Sequence, residues 1–109
     1  MHAEHAIFLE ALESKRHVTV TFYHPKERRE RTATCAPLDF GPLRGSQDQK
    51  ARYQLWDVGA KRPPYNVTIL PTDLRSIVAL ETTFDPAEII RWDFKPKAWS
   101  VARDWGAFS

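Results

Sequence analysis

Glycine, cysteine and long apolar runs are all scarce in this 109-residue chain, and each shortage excludes something. Glycine stands at four positions only, Gly41, Gly45, Gly59 and Gly106, at no spacing that would cradle a phosphate. The single cysteine, Cys35, has no partner for an internal disulfide, so nothing here demands an oxidising compartment. No apolar run approaches the ~18 residues of a membrane span, and Met1-His2-Ala3-Glu4-His5 lacks the basic-then-apolar order of a signal peptide. The expectation is a soluble, cytoplasmic protein with no membrane partner, in which the sequon Asn66-Val67-Thr68 meets no glycosyltransferase. Charge of one sign is lacking too. With 16 Lys+Arg against 14 Asp+Glu the net charge is +2, too little basic excess to announce a nucleic-acid binder on its own.

What is present is core material. The chain is 42% hydrophobic with six Phe, three Tyr and four Trp, which excludes disorder, and its length limits it to one domain over residues 1–109. The charge is also unevenly placed. Lys26 to Arg31 holds four basic residues against two acidic, and Arg44 to Arg62 holds five against two, leaving a slightly acidic remainder. These segments are read either as solvated loops that keep edge strands apart or as a basic binding patch.

Residues 4–16 repeat apolar groups at helical spacing, with Ile7 below Ala11 and Phe8 below Leu12, which predicts a short amphipathic helix. From His17 the period changes to two: Val18, Val20 and Phe22 point one way and Thr19, Thr21 and Tyr23 the other, until His24-Pro25 ends the strand. A second strand is expected over Arg31–Ala36, packing Ala33 and Cys35 and stopped by Pro37. Leu38 to Lys50 is expected as a loop of about a dozen residues, long enough to suggest disorder or a ligand lid. The third strand, Arg52–Val58, places Tyr53, Leu55 and Asp57 on one face and Arg52, Gln54 and Trp56 on the other; the fourth alternates Tyr65, Val67 and Ile69. Pro71-Thr72-Asp73 is a turn, and the fifth strand, Ile77–Glu81, is apolar enough in its centre to be expected buried on both faces.

One helix and five short strands, with a barrel over 17–81, imply a mainly β fold: a small closed barrel with the helix plugging one end. In the tail, 84–109, Asp85-Pro86-Ala87-Glu88 has the form of a helix cap and first turn. Three of the four tryptophans, Trp92, Trp99 and Trp105, then follow, so this short helical or irregular segment must pack on its own barrel or on another chain. The first is favoured, because aromatic patches of that size are uncommon on monomers.

Catalytic signals are sparse. His2, His5, His17 and His24 form no metal-ligand spacing with Cys35, which reads as an inert buried thiol, and Asp39, Asp48 and Asp57 show no acid–base pairing. No enzyme and no cofactor are expected.

Taken in order, Ile7-Phe8-Leu9-Glu10-Ala11-Leu12 before a basic corner Lys15-Arg16, a strand closing on Phe22-Tyr23, a strand ending in Ala36-Pro37-Leu38, Arg52-Tyr53-Gln54-Leu55-Trp56-Asp57 and Asp73-Leu74-Arg75-Ser76-Ile77 resemble the WYL domain over about residues 6–92. The resemblance implies an Sm-like five-stranded barrel of the kind found in bacterial transcription regulators and phage-defence proteins, where such domains sense ligands or bind single-stranded nucleic acid. On it, Tyr53 takes the middle place of the name-giving triplet, flanked by Arg52 and Gln54 where tryptophan and leucine are usual. Arg75 falls on the arginine of the Asp-Arg-Ile segment, here lengthened by a residue, and Tyr23 matches the aromatic that ends the first strand. With no helix-turn-helix ahead of it, the chain corresponds to the sensor-like part of such a regulator.

Two functional expectations follow. In one, single-stranded nucleic acid or a nucleotide-type ligand stacks its bases on Tyr23 and Trp56 while Arg31, Arg52 and Arg75 hold phosphates, with Tyr53 shaping the surface. In the other, the module forms a homodimer or binds a partner protein through its aromatic tail, where Trp99, Arg103 and Trp105 are spaced to share a helical face.

Overall fold

The computed structural model describes residues 3–43, 47–92 and 99–109. Helix α1 (Ala3–Ser14) leads into strands β1 (Arg16–His24), β2 (Arg29–Pro42), β3 (Ala51–Asp57), β4 (Asn66–Ile69) and β5 (Leu74–Thr83), followed by a one-turn helix α2 (Pro86–Ile89) and a 3-10 turn at Gly106–Phe108. The fold is mainly β, a five-stranded antiparallel sheet in the order β4-β3-β2-β1-β5 with a helix at its N-terminal end. No helix among the described residues is long and apolar enough to cross a membrane.

Helix α1 buries Phe8, Ala11 and Leu12, the face its spacing predicts. It stops two residues earlier than expected, because Lys15 adopts a left-handed conformation (φ 59°) that turns the chain into β1. In β1 the alternation is as read: Val18, Val20 and Phe22 are buried, and Thr19, Thr21 and Tyr23 are not.

Strand β2 departs from expectation. It does not stop at Pro37 but runs on to Pro42, so residues 38–42 of the anticipated 38–50 loop are sheet; residues 44–46 of that stretch lie outside the described residues. The physical reason is a change of partner. Arg29–Cys35 pair with β1 and Cys35–Pro42 with β3, and a register shift falls between Pro37 and Asp39. A missing N–H is tolerated at such an irregularity, where the ladder to β1 has already ended.

Two further corrections concern the edges. Among the described residues no ladder joins β4 to β5, so the sheet is not closed into a barrel. Strand β4 has only four residues, and the Leu70–Asp73 turn that follows it bonds to β1 instead, the Tyr23 N–H donating to the Asp73 carbonyl at 2.9 Å. Strand β5 is consequently an edge, and it is not buried on both faces: Leu74 and Ile77 face the core, while Val78 is 57% exposed. Residues from all five strands still share one core with Phe8, Leu12 and Trp105.

The described tail packs on its own chain. Asp85 caps α2 as its sequence predicts, accepting from the Ala87 N–H at 3.0 Å. Residues 99–105 form no helix, so Trp99, Arg103 and Trp105 do not share a helical face. They fold back instead: Trp105 is 3% exposed, and its indole N–H donates to the Leu12 carbonyl at 2.9 Å.

Candidate functional site

Two hairpins and a turn meet at one end of the sheet. The β1–β2 hairpin supplies Tyr23 and Lys26 near its tip, with Arg31 paired to Phe22 across the ladder. The β3–β4 connection supplies Arg62 and Pro64, and the Leu70–Asp73 turn forms the third side. Between them lies a groove of about 840 Å³, lined also by Arg52, Asp57, Asn66 and Thr68.

Four cations therefore line this groove, Lys26, Arg31, Arg52 and Arg62, against two carboxylates, Asp57 and Asp73. They are not equally available. The Arg52 guanidinium is gripped by both oxygens of Asp48, at 3.1 and 2.8 Å, and also donates to the Lys50 carbonyl at 3.2 Å. That hydrogen-bonded carboxylate raises its pKa above the usual arginine value. Arg31 is held loosely, its Nε 3.8 Å from a Glu27 oxygen that accepts from Arg29 at 3.1 Å. An exposed pair of this kind is worth about 1 kcal/mol at most, so exchanging Glu27 for a phosphate costs little. Lys26 and Arg62 hold no carboxylate among the described residues.

Behind the groove, Cys35 pairs with Asp57 across the ladder. Burial first, and the Asp57 charge second, push its thiol up to about 12, with Arg31 opposing. At neutral pH the thiol stays protonated. Among the described residues no group of three His, Cys, Asp or Glu side chains is placed to hold a metal ion.

The residues singled out from sequence separate into five places. Tyr23, Arg31 and Arg52 come together in the groove. Tyr53 does not: it is 1% exposed, packed among the rings of Phe8 and Phe40, with its hydroxyl 2.9 Å from Nδ1 of His5. Burial, then the Glu4 charge, raise its phenol pKa. Trp56 stands on the outer face of β3, its ring stacked with those of Tyr65 and Trp92. Arg75 lies outside the groove, 3.8 Å from Glu30 and donating to the Thr72 carbonyl at 3.1 Å.

Trp99, Arg103 and Trp105 make the fifth place, a clamp that seats the tail on β2. The Arg103 guanidinium sits 4.2 Å from the centre of Trp99 and 4.5 Å from that of Trp105. It donates to the Leu38 carbonyl and, at 3.2 Å, to Asp39. Asp39 also accepts from the backbone N–H groups of Ser100 and Val101, at 3.0 and 2.9 Å. Burial lowers the Arg103 pKa to about 10, and the Asp39 charge opposes that fall.

No family model, curated protein or solved structure matches the chain. Lys26 and Arg62 belong to the two basic segments of the sequence, and segment charge is the signal that finds them. Asp39 carried no signal, because its partners lie some sixty residues away in sequence, as in the Ser100 and Val101 bonds.

Proposed function

We propose that this chain is a non-enzymatic, WYL-like regulatory or accessory module that binds single-stranded nucleic acid or a nucleotide-type ligand in the groove between its hairpins, in a setting such as transcription regulation or phage defence. The observation that carries this reading is the convergence of Lys26, Arg31, Arg52 and Arg62 beside Tyr23 in one groove. Phosphate needs charge and hydrogen-bond donors, and arginine supplies both in a planar fork. The ring of Tyr23 adds a surface on which a base stacks. Lys26 and Arg62, free of carboxylates among the described residues, are the cations from which a phosphate has no partner to displace.

Anisotropy of a labelled oligothymidylate titrated with the intact chain tests this. The Lys26→Ala, Arg62→Ala double variant is expected to bind at least tenfold more weakly, while its folding stability in chemical denaturation stays within about 0.5 kcal/mol of the wild type, since both side chains are exposed. Affinity unchanged by the double substitution would falsify the groove as the binding site.

A further inference from the structure

Beside the groove, across the segment formed by residues 64–68, lies a feature the groove reading leaves unused. The ring of Trp56 lies near-parallel to two others: Tyr65, with centroids 5.3 Å apart and planes at 22°, and Trp92, at 5.8 Å and 25°. Trp56 is thus the middle of a three-ring stack. Trp92 is 42% exposed, one of three large apolar side chains left in solvent among the described residues. The stack shares a wall with the groove. Asn66 and Thr68, which line the groove, pair across the ladder with Trp56 and Gln54, and neighbouring strands lie only ≈ 4.8 Å apart.

We propose that the Tyr65–Trp56–Trp92 stack is a base-stacking platform continuous with the basic groove, so that the occupant is a single-stranded oligonucleotide rather than a lone nucleotide. This rests on the groove reading above. The chemistry follows from the juxtaposition. A chain of nucleotides alternates phosphates with flat rings, and the two surfaces meet those needs on either side of β4: Arg62 and Lys26 for phosphate, and the end ring of a parallel stack for the next base. Base stacking on aromatic rings tolerates any sequence, because every base has a π face.

The test uses the whole chain with three probes: thymidine monophosphate, an oligothymidylate of about eight nucleotides, and an abasic phosphodiester strand of the same length. Binding is read by anisotropy and by quenching of tryptophan fluorescence. The wild type is expected to bind the oligothymidylate tighter than either other probe, with quenching. Trp92→Ala and Trp92→Leu are each expected to weaken that binding by roughly tenfold and leave the monophosphate unaffected, and Trp92→Phe to restore most of it. Oligothymidylate affinity unchanged in the Ala and Leu variants, or an abasic strand bound as tightly as the oligothymidylate, overturns the platform and leaves the groove reading standing. A wild type that binds none of the probes removes both. A wild-type dimer that Trp92→Ala dissociates, without effect on the oligothymidylate, makes the stack a self-association surface and overturns the proposal.

Discussion

Asp39 shows how much one side chain can organise when it is buried with its partners. It accepts from two tail N–H groups and from Arg103, whose side chain is 0% exposed and packs against two indoles. Removing one partner of such a pair leaves a buried charge uncompensated, at a cost of about 3–5 kcal/mol, whereas replacing the pair by apolar groups is far milder. Asp39→Ala is therefore expected to lower stability by about that amount in chemical denaturation, and Asp39→Ala with Arg103→Met to recover much of it. A double variant whose loss equals the sum of the Asp39→Ala and Arg103→Met losses would show that the pair is not coupled. Cys35 gives the second prediction at this scale. Its folded pKa, about 12, lies above the ordinary 9.0, so its contribution is fully present below pH 9 and is lost as pH rises toward 12. Cys35→Ala should show a flatter decline of stability above pH 9. The native thiol should also resist Ellman's reagent at pH 8 until denaturant is added; prompt reaction would contradict its burial.

At the scale of elements, the run of β2 through Pro37 matters most. By continuing to Pro42, the strand carries Asp39 into reach of the tail and places Gly41 directly under it. A Cβ at Gly41 would stand 2.3 Å from the Ser100 hydroxyl oxygen and 2.6 Å from its Cβ, closer than atoms approach. The hydroxyl can rotate away but the Cβ cannot, so the tail backbone would have to lift. Gly41→Ala is expected to leave the sheet folded and to speed protease cleavage within the last eleven residues, with Ser100→Gly in the same chain restoring resistance. If Gly41→Ala cleaves like the wild type, the tail is not seated as described. The alternation in β1 and the Asp85 cap were legible because each depends on neighbours in sequence. The continuation of β2 was not, since Pro37 reads locally as a stop and only the switch from β1 to β3 makes it acceptable.

For the whole molecule, the open edge between β4 and β5 and the groove belong together. A turn that bonds to β1 rather than a ladder that closes the sheet leaves space between the hairpins, and the cations of separate segments converge on it. A near-neutral net charge thus coexists with a locally positive groove. The Lys26→Ala, Arg62→Ala chain should accordingly also lose about 1.4 units of slope in the logarithmic dependence of oligonucleotide affinity on salt, because each phosphate contact on a single strand contributes about 0.7. An unaltered slope would place the phosphate contacts elsewhere.

The sequence alone determined what depends on short-range pattern: the helix face of Phe8, Ala11 and Leu12, the two-residue alternation of β1, a mainly β fold of five strands, and the existence of basic stretches. The tertiary structure decided which of those residues meet. It sent Tyr53 into the core, set Arg75 against Glu30, buried Arg103 on Asp39, and brought Tyr23, Arg31 and Arg52 together with Lys26 and Arg62. The reason is that periodicity reports which side of an element a residue occupies. Which groups lie across a groove depends on the order, bending and edges of the sheet, and these arise from pairings between segments far apart in the chain.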